Sequence, residues 1–221
     1  MRVVTYNLHF ARRIERALEV IRTEPELAAA DLISIQEADE RAVQTLADAL
    51  GMHAAWYPAA VHRRTGRPFA PAVLSRWPIT AQRQLDLSHP GIHGLRRVAV
   101  QARIERPGGR EVECIAVHFG TMREILPGQQ EAQAREVLGA VADVPRPLVV
   151  AGDLNRKGLG RLFERAGFHW VTREVGRTHH VWSFDHVFAR GVRSGTFRFG
   201  SVRRALAASD HRAVWADVDA D

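Results

Sequence analysis

The stretch Pro147-Leu148-Val149-Val150-Ala151-Gly152-Asp153-Leu154-Asn155 says most about how this chain folds. Its first five residues are a short apolar run, which predicts a buried strand. Asp153 and Asn155 follow two residues apart, so their side chains point to the same face at the strand's carboxyl end. Both residue types also begin turns. A carboxylate beside a carboxamide nevertheless suits phosphate chemistry at a hard cation, at a strand end where α/β proteins place ligands.

Length and composition restrict the class of protein. With 221 residues and 46% hydrophobic residues, the chain can bury one substantial core, and we expect a single domain over residues 1–221. No stretch is long and apolar enough to cross a membrane, and the N-terminus begins as a strand rather than a signal peptide. Cys114 is the single cysteine, so an internal disulfide is excluded. These features predict a cytoplasmic location.

The charge balance favours polyanionic partners. The formal net charge is +6, and Lys157 is the one lysine among the basic residues. Lys and Arg side chains bind phosphates and release counterions, so a basic balance is compatible with nucleic acid. Arginine-bearing loops at 62–67, 94–97 and 201–204 support this interpretation. Arginine bias equally reflects genome composition, so the charge alone does not identify a nucleic-acid-binding protein.

Hydrophobic periodicity predicts strands alternating with helices. Apolar residues recur at helical spacing in 14–21, 43–50, 129–142 and 159–166. Strand-like runs lie at 2–8, 32–36, 53–59, 72–75, 79–87, 98–104, 111–119, 147–151, 168–172, 184–189, 195–199 and 213–218. This order predicts an α/β protein in which two sheets pack together with helices outside.

Polar residues stand at the ends of several predicted strands, where a core does not favour them. They are Asn7, Glu37, His118, Asp153, Asn155, Asp185, Asp210 and His211. A buried polar group without a partner costs on the order of a few kcal/mol. One such residue is ordinary, but so many strand ends need a common reason. Convergence on one metal-bearing cleft provides it.

These strand ends belong to longer motifs that resemble those of the endonuclease/exonuclease/phosphatase superfamily, which includes deoxyribonuclease I. The motifs occur in the family's order and span nearly the whole chain: Thr5-Tyr6-Asn7-Leu8-His9, Ile35-Gln36-Glu37, Leu74-Ser75-Arg76-Trp77-Pro78-Ile79, Val117-His118-Phe119, Gly152-Asp153-Leu154-Asn155, Phe184-Asp185-His186-Val187-Phe188 and Ser209-Asp210-His211-Arg212-Ala213-Val214. The chain is short for the family, and its third motif lacks a glycine often found there. The resemblance implies a four-layer α/β sandwich, two mixed sheets face to face with helices outside.

The resemblance also implies a metal site. Glu37 would be the principal ligand, helped by Asn7 and Asp210. Mg²⁺ suits this set because it is a hard cation that takes one or two carboxylates and keeps several waters. We expect Mn²⁺ to substitute for it. No thiolate set suggests structural zinc.

The same resemblance implies catalytic roles for five residues. Asp153 would orient and deprotonate the attacking water, and Asn155 would bind the phosphoryl oxygen. His211 would contact the phosphate while Asp185 fixes its ring and favours the imidazolium form. His118 would stabilise the transition state or help to protonate the leaving oxygen.

The expected function is Mg²⁺-dependent phosphodiester hydrolysis by one in-line attack of water, with a nucleic acid as the favoured substrate. Arg63, Arg64 and Arg67 are the predicted substrate-binding residues, and no obligate protein partner is evident.

A phosphodiesterase or phosphatase acting on a lipid or small phosphoester is the alternative, because His118 resembles deoxyribonuclease and sphingomyelinase members alike. No exposed apolar loop for a lipid surface is evident from the sequence. A calcineurin-type phosphatase would need an early Asp-x-His and a later Asn-His pair, which are absent. A non-catalytic relative would have lost core positions that are filled here.

Overall fold

The part of the chain that the structure describes contains thirteen strands, five α-helices and three short 3₁₀ helices. The structure, a computed structural model, describes residues 1–61, 66–193, 195 and 197–220, and only the backbone of His93. The strands are β1 (Arg2–Asn7), β2 (Leu32–Ala38), β3 (His53–Trp56), β4 (Ala60–Val61), β5 (Pro68–Ser75), β6 (Ile79–Gly91), β7 (Leu95–Arg106), β8 (Arg110–His118), β9 (Leu148–Asp153), β10 (His169–Trp170), β11 (Asp185–Arg190), β12 (Phe199–Val202) and β13 (Ala213–Asp217). The helices are α1 (Ile14–Thr23), α2 (Pro25–Ala28), α3 (Glu40–Leu50), α4 (Pro127–Ala140) and α5 (Gly160–Arg165).

The strands form two mixed sheets. The first has the order β12-β13-β1-β2-β5-β3, with β4 paired to β5, and the second has the order β10-β11-β9-β8-β7-β6. The central pairs, β1 with β2 and β8 with β9, are parallel, whereas their neighbours are antiparallel. The carboxyl ends of these four central strands can therefore carry side chains to a shared edge.

Three hydrophobic clusters separate four layers. One lies between the first sheet and α1 to α3, and includes Ile33 and Ile35 of β2. The second lies between the sheets and includes Leu32. The third packs α4 and α5 on the second sheet and includes Val150. Successive residues of β2 enter different clusters because side chains alternate along a strand. The predicted four-layer α/β sandwich is confirmed.

The layer between the sheets becomes polar towards one end. Ser34 donates its hydroxyl hydrogen bond to the Ala151 carbonyl oxygen across the sheets, at 2.8 Å. Gln36 donates to the hydroxyl oxygens of Ser34 and Thr5, at 2.9 and 3.1 Å. Because all three side chains are fully buried, these hydrogen bonds offset the cost of removing them from water. They lead directly to the strand ends that carry the predicted site.

Some elements differ from the sequence-based predictions. The short helix α2 was not predicted, and the strand expected at 195–199 instead begins at Phe199. β12 pairs with β13 so that Gly200 lies opposite Trp215, and a Cβ at Gly200 would come within 2.9 Å of the indole. Glycine at this position therefore lets the strand pass under the ring. Within the described residues, no helix has the length and apolar character needed to span a membrane.

Candidate active site

Polar side chains from both sheets meet at one end of the sandwich. β8 and β9 run parallel and place His118 beside Asp153. β11 runs antiparallel to β9 and begins there, so Asp185 lies directly opposite Asp153. The second sheet thus holds an imidazole and two carboxylates in adjacent strand positions. The first sheet contributes Asn7 and Glu37 from the ends of β1 and β2.

Glu37 reaches this edge through an irregularity in β2. The register between β2 and β5 shifts between Ile35 and Ala38, and Glu37 has a φ of 57°, in the left-handed region. A regular strand would point Glu37 away from its neighbour Gln36, towards the helices. Here its Oε1 lies 3.9 Å from His118 Nε2, across the sheets. Left-handed backbone in a non-glycine residue costs about 1–3 kcal/mol and is typical of functional sites.

A left-handed turn after β1 fixes both predicted ligands of the first sheet. His9, Phe10 and Ala11 all have positive φ, between 49° and 58°. The Phe10 amide donates to Glu37 Oε2 at 3.0 Å, and the His9 amide donates to Asn7 Oδ1 at 3.0 Å. The turn therefore orients the Asn7 and Glu37 side chains with backbone groups.

Asp153 is the centre of the cluster. Its Oδ2 accepts a hydrogen bond from Asn7 Nδ2 at 3.1 Å, and its Oδ1 accepts one from the Asn155 amide at 2.8 Å. The Nε2 atoms of His118 and His211 each lie 3.7 Å from Oδ2. Burial raises the pKa of Asp153 above its usual range, Asp185 adds to the effect, and His211 opposes it. A carboxylate with a raised pKa is a better proton acceptor near neutral pH than an ordinary one.

Asp185 and His211 form a buried ion pair. His211 Nδ1 lies 2.9 Å from Asp185 Oδ2, and Ser209 accepts from the His211 amide at 3.1 Å. Burial alone would lower the pKa of His211, but the carboxylates of Asp185 and Asp153 raise it to about 10. At neutral pH this ring is therefore an imidazolium, whose Nε2–H faces Asp153.

The buried carboxyl group of Glu37 is only partly compensated by the positive charges around it. Burial raises the pKa of Glu37 to about 7, despite the opposing effects of Arg97, His211 and a hydrogen bond with Asn7. A divalent cation bound to the carboxylate would remove this penalty. Oxygen donors from a carboxylate and a carboxamide are the ligands that Mg²⁺ and Mn²⁺ favour. Asn7 and Glu37 therefore fit the predicted metal.

Asp210 lies in a neighbouring cluster with two imidazoles. Its carboxylate oxygens lie 3.6 Å from His9 Nδ1 and 3.6 Å from His179 Nε2. Burial alone would raise its pKa, but His179 and the other imidazoles hold it below its usual range. His179, Asp210 and His211 present ligand atoms within 4.8 Å of one another. The His179 and His211 rings are stacked at 25°, however, so their in-plane lone pairs cannot converge on one ion.

The family is decided by a match along almost the whole chain. Residues 4–211 match the model of the endonuclease/exonuclease/phosphatase family. The chain belongs to this family. Its members are enzymes that hydrolyse phosphoesters. The expectation that this chain is a metal-dependent hydrolase is consistent with that activity. None of the curated protein sequences matches the chain.

Solved structures of the family share the fold. An endonuclease/exonuclease/phosphatase from Beutenbergia cavernae is 24% identical with a TM-score of 0.79, covering 100% of this chain and 71% of that one. The human nocturnin catalytic domain, solved with bound sulfate, is 16% identical with a TM-score of 0.75, covering 99% and 94%. Sphingomyelinase C from Streptomyces griseocarneus is 17% identical with a TM-score of 0.74, covering 98% of each chain. At these identities the similarity establishes the fold alone.

Two residues of this family member that sequence reasoning missed complete the cluster. Arg97, expected in a surface loop, is buried and places its NH1 3.0 Å from His118 Nδ1. His179 stacks on His211 with ring centroids 4.4 Å apart and shields it from solvent. The doublets Arg96-Arg97 and His179-His180 can be read in the sequence, but the sequence does not show that one member of each lies in the cluster. His179-His180 stands at no predicted strand end, and Arg97, directly before the predicted strand at 98–104, was assigned to an arginine-bearing loop.

A cleft of about 570 Å³ opens beside the cluster, with Asn155 and His179 in its wall. Two loops form its rim, and both carry exposed apolar side chains. They are Met122, Leu126, Val181 and Trp182, between 53% and 74% exposed. No exposed apolar loop for a lipid surface was evident from the sequence, and the structure exposes these four side chains. The sequence pattern did not mark these side chains, because Met122 is isolated among polar residues and Ile125-Leu126 and Val181-Trp182 are only two-residue apolar pairs.

Arginine side chains also lie at the end of the sandwich that carries the polar cluster. Arg177 and Arg203 both lie near Arg212, whose pKa is lowered first by burial and then by the charges of these two residues. We call these three the arginine patch; among the described residues, none of them has a carboxylate within salt-bridge distance. Of the arginines predicted to bind substrate, Arg67 lies 2.7 Å from Asp39, the N-cap of α3. Arg63 and Arg64 lie outside the described residues.

Proposed function

We propose that this protein is a divalent-metal-dependent phosphodiester hydrolase that acts on nucleic acid, working as one domain over residues 1–221. Its chief support is the position of Asp153, held by Asn7 and 3.7 Å from both His118 and His211. Attack of water on a phosphodiester requires a proton acceptor, a positive charge and neutral hydrogen-bond donors close together. Asp153, the His211 imidazolium and the side chains of Asn7 and His118 provide these groups.

Asp153 orients the attacking water and takes its proton. Its raised pKa suits this role, because a base works best when its pKa lies near the working pH. The hydrogen bonds from Asn7 and from the Asn155 amide fix both carboxylate oxygens, which keeps the attack in line. No covalent intermediate is needed, because a water is the nucleophile.

Three side chains stabilise the charge that builds on the phosphoryl oxygens. His211 acts as an imidazolium, with Asp185 holding its ring. Asn155 remains neutral and, with Nδ2 bonded to the Phe119 carbonyl oxygen at 2.9 Å, faces the cleft. Burial, Arg97 and His211 hold the pKa of His118 well below its usual range. His118 is therefore better suited to donate a neutral hydrogen bond than to protonate the leaving oxygen.

Asn7 and Glu37 would hold Mg²⁺ or Mn²⁺, with Asp210 completing the predicted set from the side of His9 and His179. When bound, such a cation supplies Lewis-acid stabilisation of the phosphoryl group. We expect hydrolysis of bis-p-nitrophenyl phosphate and of plasmid DNA that requires Mg²⁺ or Mn²⁺ and stops with EDTA. Activity that survives exhaustive chelation would exclude the metal from the reaction.

The arginine patch favours nucleic acid as the substrate. Unpaired arginines beside the reacting phosphate can bind the flanking phosphates of a polymer, and each such contact releases counterions. Binding should therefore weaken steeply with salt. Replacing all three arginines of the patch by glutamine should reduce the slope of log K against log salt by about 2–3. Turnover of the small chromogenic diester should remain nearly unchanged.

A matched control separates this local effect from the loss of net charge. Arg110, Arg193 and Arg198 lie at the opposite end of the sheets, where β8 begins and β1 has its N-terminus. Their triple replacement by glutamine removes the same charge and should leave the salt slope within about one of the wild-type value. Equal slopes of log K against log salt for the two triple variants would contradict binding of nucleic-acid phosphates at the arginine patch.

A lipid phosphodiester is the second candidate, favoured by the apolar rim of the cleft. Met122, Leu126, Val181 and Trp182 are each more than half exposed, and exposed apolar side chains grouped in this way are typical of surfaces that bind membranes or apolar ligands. A panel of single- and double-stranded DNA, RNA, sphingomyelin vesicles, an inositol polyphosphate and a cyclic dinucleotide decides between the candidates. Turnover of the lipid with no nucleic acid cut would reject the first candidate. We keep a cytoplasmic location as a prediction from the single, buried cysteine.

A further inference from the structure

Two fully buried glutamines of α4 bind both sides of one residue in the loop that follows β8. Gln130 and Gln133 lie on the face of α4 that packs on the second sheet. The Gly120 amide donates to Gln133 Oε1 at 3.0 Å, and Gln130 Nε2 donates to the Gly120 carbonyl oxygen at 2.7 Å. Glutamine is rarely buried completely, and apolar side chains such as Val137 occupy the rest of this face. The two glutamines therefore need a reason of their own.

Gln133 is linked to the polar cluster through a single peptide group. The Gly120 N–H and the Phe119 carbonyl belong to the same planar peptide, and that carbonyl accepts from Asn155 Nδ2 at 2.9 Å. On its other side, Gln133 Nε2 donates to the Ser88 carbonyl oxygen at 2.8 Å. Three amides thus form one chain, from Asn155 through the peptide to Gln133, in which each N–H donates to the next carbonyl. Hydrogen bonds in such a chain polarise and strengthen one another.

The chain fixes which end of the Asn155 carboxamide lies at Phe119. A carbonyl oxygen only accepts, so Nδ2 and not Oδ1 must face it. The Gln133 carboxamide is fixed in the same way, with Oε1 towards an N–H and Nε2 towards a carbonyl. Nδ2 of Asn155 carries two hydrogens, and Phe119 uses one of them. The other is left for a ligand in the cleft whose wall Asn155 forms.

We propose that Gln133 is a positioning residue that acts through the Phe119–Gly120 peptide and holds the Asn155 carboxamide with its amide group ready to donate to a phosphoryl oxygen. Gln133 does not touch the substrate. Without its acceptor the peptide is free to turn, the Phe119 carbonyl leaves Asn155, and the carboxamide can turn its Oδ1 towards an anionic oxygen. The kinetic consequence rests on the proposed function, whereas the chain of hydrogen bonds is a property of the free protein.

Satisfying the buried backbone of Gly120 is the structural alternative, since buried N–H and C=O groups require partners. In that case both glutamines have the same purpose. The helix supplies a matched control, because Gln130 binds the carbonyl of the Gly120–Thr121 peptide, whereas Asn155 binds the peptide before it. Gln130→Met and Gln133→Met remove the same groups from one helix face, and methionine keeps the length of the side chain.

The first measurement is hydrogen exchange of the Asn155 side-chain amide by ¹H–¹⁵N NMR of metal-free protein, with its signals assigned by their absence in Asn155→Ala. In the wild-type protein these protons should exchange at least about tenfold more slowly than those of free asparagine. Gln133→Met should lose this protection, whereas Gln130→Met should retain it. Gln133→Glu, which keeps an acceptor for the Gly120 N–H, should also retain it.

The second measurement is steady-state kinetics on bis-p-nitrophenyl phosphate. Gln133→Met should lower kcat roughly 10–100-fold with KM within about twofold, because a donor aimed at developing charge acts in the transition state. Gln130→Met should leave kcat within about twofold of the wild-type value. In an Asn155→Ala background, Gln133→Met should cost less than about twofold in kcat, because the positioned group is already gone.

Three results would overturn the inference. They are an equal loss of kcat in the two backgrounds, equal effects of Gln130→Met and Gln133→Met, and unprotected Asn155 protons in the wild-type protein or in Gln133→Glu. If Gln133→Met does not fold, the exchange rates of the wild-type protein and Gln133→Glu still decide it. A protein that cleaves no diester but loses the Asn155 protection only in Gln133→Met would support the positioning and reject the proposed function.

Discussion

Replacing Glu37 by glutamine tests the electrostatics of the predicted metal site without the need for a substrate. Burial raises the pKa of this carboxyl from 4.5 to about 7. Its side chain is only 15% exposed, and at about 1.4 kcal/mol per pKa unit the difference corresponds to about 3 kcal/mol. The folded protein binds this proton more tightly than the unfolded chain does. The stabilisation is therefore complete below pH 4.5 and is lost as the pH rises through about 7.

The assay is urea unfolding at 25 °C in EDTA, at pH 5 and pH 8. Between these values the wild-type protein should lose about 2–3 kcal/mol more free energy of unfolding than Glu37→Gln, which cannot titrate at this position. Groups remote from Glu37 titrate alike in both proteins and cancel in the difference, whereas Asp153 and His211, which interact with Glu37, contribute a smaller change. Mg²⁺ should stabilise the wild-type protein at pH 8 far more than the variant.

The exposed Glu15, on the outer face of α1, provides a matched control. Glu15→Gln removes the same charge from the surface and should follow the wild-type pH dependence within about 0.5 kcal/mol. Parallel pH dependences for the wild-type protein and Glu37→Gln would refute the reasoning that an uncompensated buried carboxyl occupies this site.

Three further predictions concern the base, the imidazolium and the backbone. Asp153→Asn should lower kcat/KM by roughly 10²–10⁴-fold with an unchanged melting temperature, and a loss below about tenfold would contradict the assigned base. Asp185→Asn removes a charge that helps to raise the pKa of His211 to about 10. The alkaline limb of the pH–rate profile should therefore move down by about 1–3 pH units. An unmoved limb would contradict the role of His211 as an imidazolium. Gly152→Ala should lower the free energy of unfolding, measured by chemical denaturation, by about 2 kcal/mol or more, because the new Cβ would lie 2.0 Å from a carbonyl oxygen of β8. The control Gly139→Ala places its Cβ in open space and should change this free energy little.

The sequence predicted the strand ends of this site because their physical signal is local. An apolar run that terminates in an acid or amide, as at Asp153, is costly unless the polar group has a purpose. His118 and Asp185 carry the same signal on the two strands that flank β9. Alternation along the strands predicted two packed sheets with polar strand ends, and the resemblance carried by the ordered motifs implied the four layers and the site residues.

The remaining parts depend on backbone geometry and long-range contacts, which single-residue patterns do not encode. Strict alternation would have sent Glu37 to the helix side, and only the shifted register of β2 turns it into the cleft. The partners of Arg97 lie 21 and 27 residues further along the chain. The resemblance assigned Asp210 to the metal site with Glu37, whereas its carboxylate oxygens lie 3.6 Å from the imidazoles of His9 and His179.

The division of the cluster between two sheets makes activity a reporter of how completely the protein is folded. Asn7 and Glu37 belong to one sheet, and Asp153 belongs to the other. A partly unfolded species that keeps either sheet intact would retain secondary structure but hold only half of the reacting groups. In a denaturant titration, catalysis should therefore disappear with or before the circular dichroism signal, and at no denaturant concentration should it outlast the docking of the sheets.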